Sequence, residues 1–347
     1  MKKQKIIIKK SDLPVVSFII PTLNASKFLP NCLRAIRSQD YPQSKIEIVI
    51  ADGGSTDSTR EIGKEYKAKI IDNPEVLHEP GKARASKVAT GEIFFFTDSD
   101  NELSNKHWVT DMVRPYRENP DMNIKGFLAQ TIPPKRWNSF DRYMGYLATD
   151  PFTWFIYRWA SIPRTYGNLY TPIKKTSKYQ IYKFDVMNHP LLGLSQGFGT
   201  IASFKREKLG HSDDILSGIK LIAEGGLIAY VPSAGIYHYH VTGFKEFTHK
   251  YTWRIRNNLH QKVKGMGLVN RQKYLNGKRR LRQVLFPLYS ISLIFPLIDT
   301  LHLYKYYKDK VVFWHMPACL ILSLIMAKEL FLFSIGIKLA PGSYARK

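Results

Sequence analysis

Cysteine is nearly absent from this chain. Two residues, Cys32 and Cys319, are too few for a disulfide scaffold or a cysteine-rich zinc module, and they fit a reducing compartment. Acidic residues are also scarce: 28 Asp and Glu stand against 52 Lys and Arg, a net charge of +24. Such a surplus needs polyanions nearby, whether nucleic acid, phosphorylated ligands or anionic lipid. Repeats and low-complexity stretches are missing. So is a signal peptide, because the apolar stretch in MKKQKIIIKK is only three residues long. The large N-terminal region is therefore expected to be cytoplasmic. No nucleic-acid motif accompanies the charge, which argues against a nucleic-acid partner. What the chain does have is apolar residues, 44% of the total, enough for a packed core and too many for a disordered chain.

The basic surplus is concentrated. From His240 to Arg282 there are twelve Lys or Arg and one acid, Glu246. Apolar runs follow directly, from Val284 to Tyr304 and from Val311 to Ala327, with Pro287, Pro296 and Asp299 interrupting the first. A membrane span needs about 20 apolar residues, so both runs are borderline. Three readings stay open: a membrane-crossing helical hairpin, helices lying in the bilayer interface, or a buried helical pair. The polybasic neighbour favours the membrane, since Lys and Arg beside an anionic leaflet gain about 1 kcal/mol each.

The first hundred residues alternate between two periods. Val15 to Ile20 is a short β-branched run flanked by prolines, hence a buried strand. A helix follows to about Ser38, with Asn24 or Ser26 as its cap and Phe28, Leu29, Cys32, Leu33 and Ile36 on one face. Ile46 to Asp52 is a second strand. A helix capped by Ser55 or Asp57 leads to a third strand, AKIID. Lys82 to Thr90 is helical with Gly91 as its stop, and EIFFFTDSD is a fourth strand ending in acids. This order implies an α/β fold, a parallel sheet with helices on both faces. Ligands of such sheets bind beyond the carboxyl ends of the strands, where Pro21, Thr22, Asp52, Asp98 and Asp100 all fall.

Asp98-Ser99-Asp100 sets two carboxylates at the end of a core strand, where both can face one Mg²⁺ or Mn²⁺ ion. Gly53-Gly54 leaves backbone open beside Asp52. Lys82 and Arg84 can hold phosphate oxygens or stand exposed. His238 and His240 share a strand face, and one of them can complete a metal shell. Asp213-Asp214 precedes a helix and can cap it, supply a general base, or do both. Trp253, Arg254 and Arg256 can bind diphosphate or lipid phosphate, or form part of a basic membrane-facing surface. Residues 133–190 are rich in aromatics with interleaved arginines. That suits an acceptor platform, an interfacial element or an ordinary helical insertion.

The strings IIPTLNASKFLPNCLRAIRSQDYP, VIADGGSTDST, EPGKARASKVATGEIFFFTDSD and SDDILSGIKLIAEGGLIAYVPSAGIYHYH resemble family 2 glycosyltransferases of the GT-A fold. The resemblance covers roughly half the chain. It implies inverting transfer of a sugar from a nucleotide-sugar donor to an acceptor hydroxyl or phosphate, free or lipid-linked, in envelope, polysaccharide or glycolipid synthesis. It places Pro21, Thr22 and Asn24 on the nucleotide, Asp52 on its base, Asp98 on the ribose or sugar, and Asp100 on the metal. It makes Asp214, beside Asp213, the general base. The implied layout is a GT-A domain over 1–245, a basic juxtamembrane segment over 246–283 and a membrane-associated hairpin over 284–347. The competing reading is a non-catalytic, membrane-bound protein that binds nucleotide sugar or lipid phosphate.

Overall fold

The computed structural model of the chain describes residues 13–134, 136–193, 196–204, 214–239, 241–260 and 268–337. In chain order the elements begin with β1 (Val16–Thr22), α1 (Leu29–Arg37), β2 (Ile46–Asp52), α2 (Thr59–Glu65), β3 (Lys69–Asp72), α3 (His78–Val88) and β4 (Ile93–Thr97). Next come β5 (Asn101–Leu103), α4 (Trp108–Glu118), β6 (Ile124–Ile132), α5 (Ser139–Leu147), α6 (Pro151–Tyr157), α7 (Tyr166–Leu169), β7 (Lys174–Lys175) and β8 (Gln180–Tyr182). The last are β9 (Gln196–Ile201), α8 (Asp214–Ala223), β10 (Leu227–His238), α9 (Phe244–His260), α10 (Gly277–Ile291), α11 (Ile294–Tyr307) and α12 (His315–Ser334).

The strands form one sheet in the order β3-β2-β1-β4-β9-β6-β10-β8-β7, with β5 also on β10. β1 to β4 are mutually parallel, β9 runs against both β4 and β6, and β6 pairs parallel to β10. This mixed, mostly parallel sheet carries helices on both faces, as the strand-helix alternation implies. Period-two side chains feed two cores: Phe18 and Ile20 face one with α1 and α4, while Ile19 faces the other with α3 and α8. β1 is buried at every residue, which suits a continuous apolar run covered from both sides.

Local boundaries differ in instructive ways. Neither Asn24 nor Ser26 caps α1; the cap position is Phe28, and Asn24 instead accepts a hydrogen bond from the Thr56 amide at 2.9 Å. α3 starts at His78, a turn before Lys82, because the helix begins as soon as the strand-to-helix loop has passed Asn73. Most of the 133–190 aromatics are internal. Phe140, Tyr143 and Trp154 are buried in a third core with residues of α9, α10 and α12.

That third core joins the C-terminal helices to the sheet domain, and ion pairs reinforce it. Arg142 pairs with Asp309, Arg158 with Asp299, and Arg256 with Glu329. The Arg256–Glu329 pair is bidentate at 2.7 and 2.9 Å, with the Glu329 side chain only 4% exposed. Arg256→Ala would strand a buried carboxylate, so we expect a loss of about 3–5 kcal/mol in urea denaturation. The double variant with Glu329→Ala should recover part of that loss, as a coupled pair requires.

Candidate active site

The site grows from the end of β4. Phe94, Phe95 and Phe96 are buried core residues, and the chain leaves the sheet at Asp98 and Asp100. β5 then turns back and pairs antiparallel with the end of β10, setting Asn101 opposite His238. The backbone locks this corner: the Tyr239 amide donates to the Asp100 carbonyl at 3.2 Å and the Asn101 amide to the Asp98 carbonyl at 3.0 Å. One ligand atom each from Asp98, Asp100 and His238 then falls within 4.8 Å of the others. Asp100 Oδ1 lies 3.6 Å from His238 Nε2.

Burial pushes the His238 imidazole below its ordinary value, against the pull of Asp100 and Asp98. A neutral imidazole keeps a lone pair for a metal. Two carboxylates and such a nitrogen suit a hard divalent cation, Mg²⁺ or Mn²⁺.

Lys82 completes the cluster. Its side chain is fully buried, with Nζ 3.3 Å from Asp98 Oδ1 and 3.3 Å from Glu79 Oε1. His78 Nδ1 lies 3.6 Å from the same Asp98 oxygen. Burial alone would raise the Asp98 carboxyl, but the Lys82 ammonium, with His78 beside it, holds it well below the usual carboxylate range. Gly81 permits this arrangement. A Cβ there would sit 2.9 Å from Asn73 Nδ2 and 3.2 Å from Pro21 Cβ, so only glycine lets α3 press onto the rim of β1 and β2. Replacing Lys82 by Met removes the cation and leaves burial dominant, which raises the Asp98 carboxyl. The pH midpoint for Mn²⁺ binding, read by electron paramagnetic resonance, should move upward.

The neighbouring rim is a pair of interlocked loops. Asp52 is buried, and its carboxylate accepts from Thr22 Oγ1 (2.9 Å), the amides of Gly54 (3.2 Å) and Ser55 (3.0 Å), Ser55 Oγ (2.6 Å) and Arg60 (3.3 Å). Burial opposes ionisation, yet the bonds from Ser55, Thr22 and Arg60 keep its carboxyl below the ordinary value. Its carboxylate thus shapes the 53–55 backbone. Asn24, at φ 47°, sits in the left-handed region that asparagine tolerates, and its amide donates to Ser55 Oγ at 2.9 Å. Pro21 and Thr22 close β1 beside this loop, register-paired with Ala51 and Asp52.

Other expected site residues have partners of their own. Arg84 forms a two-pronged pair with Glu75 at 2.7 and 2.9 Å. On α9, Trp253 is buried, Arg254 lies 5.1 Å from the Tyr251 ring centre, and Arg256 is held by Glu329. Asp214 is the first residue of α8; its side chain, like Asp213 and His240, lies outside the described residues.

Several residues at the rim escaped sequence reasoning. His78 and Glu79 belong to the same helix as Lys82, and His78 and Lys82 share its face at i and i+4. The string HEPGK carries that signal once the helix start is set a turn earlier. Tyr239, next to His238, stacks on Phe28 at 5.9 Å and meets Trp137 edge-on at 5.2 Å, with Lys27 Nζ 5.2 Å from the Phe28 ring centre. Nothing in the local pattern ties Trp137 to this group.

Residues 17–208, more than half of the chain, match the family model described as glycosyl transferase family 2. The chain belongs to this family. Among curated family relatives, the glycosyltransferase AglE of Haloferax volcanii is 39% identical over 97 residues, 26% of this chain and 32% of that protein. The poly(ribitol-phosphate) β-N-acetylglucosaminyltransferase TarS of Staphylococcus aureus is 37% identical over 101 residues, 27% of this chain and 18% of that protein. The matches thus span about a third or less of those relatives' length. Among solved structures, S. aureus TarS 1–349 in complex with UDP-GlcNAc aligns with 92% of each chain at 15% identity and a TM-score of 0.48.

Proposed function

We propose that this family 2 chain moves a sugar, with inversion, from a nucleoside-diphosphate sugar to an acceptor hydroxyl or phosphate on a membrane lipid or envelope polymer. The observation that carries the reading is the convergence of Asp98, Asp100 and His238 at the carboxyl rim of the sheet, with buried Lys82 behind them. Their donor set fits a divalent cation, which when bound supplies positive charge to the departing diphosphate. TarS, a relative named for a phosphopolymer acceptor, supports the acceptor class.

Each residue then has a task. Asp98, Asp100 and His238 would hold the cation, and Asp98 stays ionised beside Lys82. The loops around Asp52, Thr22 and Asn24 present backbone to the base and ribose, with Pro21 closing the strand below. Lys82 adds a fixed positive charge near the diphosphate oxygens. Asp214 takes the proton from the acceptor oxygen as that oxygen attacks the anomeric carbon and the carbon–oxygen bond to the diphosphate breaks. The products are the glycosylated acceptor and a nucleoside diphosphate, and the base returns its proton to solvent. In this reading the sheet domain is the cytoplasmic catalytic unit and the C-terminal helices attach it to the membrane.

A thermal-shift screen of UDP-, GDP- and CMP-sugars, with and without Mn²⁺, tests the reading. One donor class should raise the melting temperature only when Mn²⁺ is present, and should then release its nucleotide on prolonged incubation. No shift and no nucleotide release with any donor would remove it.

A further inference from the structure

The C-terminal helices sort their charges by face. Among the described residues from 268 onward, Asp299 and Glu329 are buried, Asp309 is partly buried, and all three point inward to arginines of α5, α9 and the turn after α6. Lys273, Lys278, Arg280, Lys305, Lys308, Lys310 and Lys328 are exposed. The exposed charges of this region are therefore all cationic among the described residues from 268 onward.

Between the basic groups lies an apolar elbow. α10 and α11 meet at a 97° bend. Along it Val284 (76% exposed), Leu288 (69%), Ile294 (65%) and Phe295 (59%) project outward. Lys278 and Arg280 flank one end and Lys305 and Lys308 the other. At a rise of about 1.5 Å per residue each arm is roughly 21 Å long, too short for a hydrocarbon core of about 30 Å. Folded through the bend, the tip reaches roughly 15 Å, the depth of one leaflet. Lys310–Ser334 is long and apolar enough to cross a membrane. However, its His315, Cys319, Leu322 and Glu329 are buried against the protein, so one side of it is not available to lipid.

The segment that joins α11 to α12 packs on the side of the sheet that carries the site. β6 and β10 end at this rim and continue into α5 and α9. Trp314, which leads into α12, lies 5.3 Å from Phe140 of α5 and 5.7 Å from Phe244 of α9, and its Nε1 donates to Ser139 Oγ at 3.1 Å.

We propose that the α10–α11 elbow is a wedge that enters a single leaflet of an anionic bilayer without crossing it, holding the rim that carries Asp98, Asp100 and His238 at the lipid surface. This rests on the transferase reading only for the use of that rim. A second copy of the chain is a poor occupant, because two such faces would oppose lysine to lysine. An anionic leaflet matches both parts, acyl chains for the elbow and phosphates for the lysines.

Flotation of the full chain with vesicles tests it. Wild type should float with phosphatidylglycerol vesicles, weakly with pure phosphatidylcholine, and less as salt rises. The surface pair Leu288→Asp with Ile294→Asp should bind at least tenfold more weakly while lipid-free donor breakdown stays unchanged. On sealed vesicles an impermeant maleimide added outside should label both Lys278→Cys and Lys308→Cys, and binding should protect Ile294→Cys. Protection of Lys308→Cys would mean crossing and would overturn the wedge. Equal binding by the double variant, or a lipid-free dimer that this variant dissociates, would do the same. Loss of donor breakdown in a wild type that still floats would remove the transferase reading and leave the wedge standing.

Discussion

Asp100→Ala is expected to lower sugar transfer by about 10³-fold or more and to abolish Mn²⁺ binding measured by electron paramagnetic resonance. The reasoning is geometric. Asp98 already has a close cation in Lys82 at 3.3 Å and a second donor in His78 at 3.6 Å. Asp100 lies 3.6 Å from His238, whose imidazole burial holds below its ordinary value. Asp100 thus stands with Asp98 and His238 around the position an added cation would take. Thermal melting without metal should change little, because the residue is partly exposed in the turn between β4 and β5. Turnover within tenfold of wild type would show that the cation is not held there.

Asp214→Asn should give the second large effect, a fall of about 10²–10⁴-fold in turnover, the range that positioned proton transfer contributes. Asparagine keeps the size of the side chain at the first residue of α8. Donor affinity and Mn²⁺ affinity should therefore match wild type. That separation distinguishes a base from a binding group. Normal turnover by Asp214→Asn would move the base elsewhere, and Asp213→Asn is the variant to compare.

The parts of the fold legible in sequence were those set by local periodicity. β2 begins and ends where the run from Ile46 to Asp52 does, and α1 buries the apolar face read from its spacing. The carboxylates at 98 and 100 were legible because a core strand delivers them to one rim. Pairings between distant segments were not. β9 enters between β4 and β6 in the opposite direction, which no window of sequence announces. The partners of Asp299, Asp309 and Glu329 lie far off in the chain, so Asp299 reads as an interruption of an apolar run and none of the three reads as an anchor. Lys82 was visible as a candidate cation, but its full burial depended on Gly81 and on the helix starting at His78.

The corner where Asn101 faces His238 has a consequence for biosynthesis. A chain still emerging from the ribosome displays both aspartates long before the histidine has been translated, and no trap for Mn²⁺ exists until the last strand docks. A divalent ion bound there, as proposed above, would stabilise the finished protein rather than template its assembly, and its protection should grow with the logarithm of its concentration.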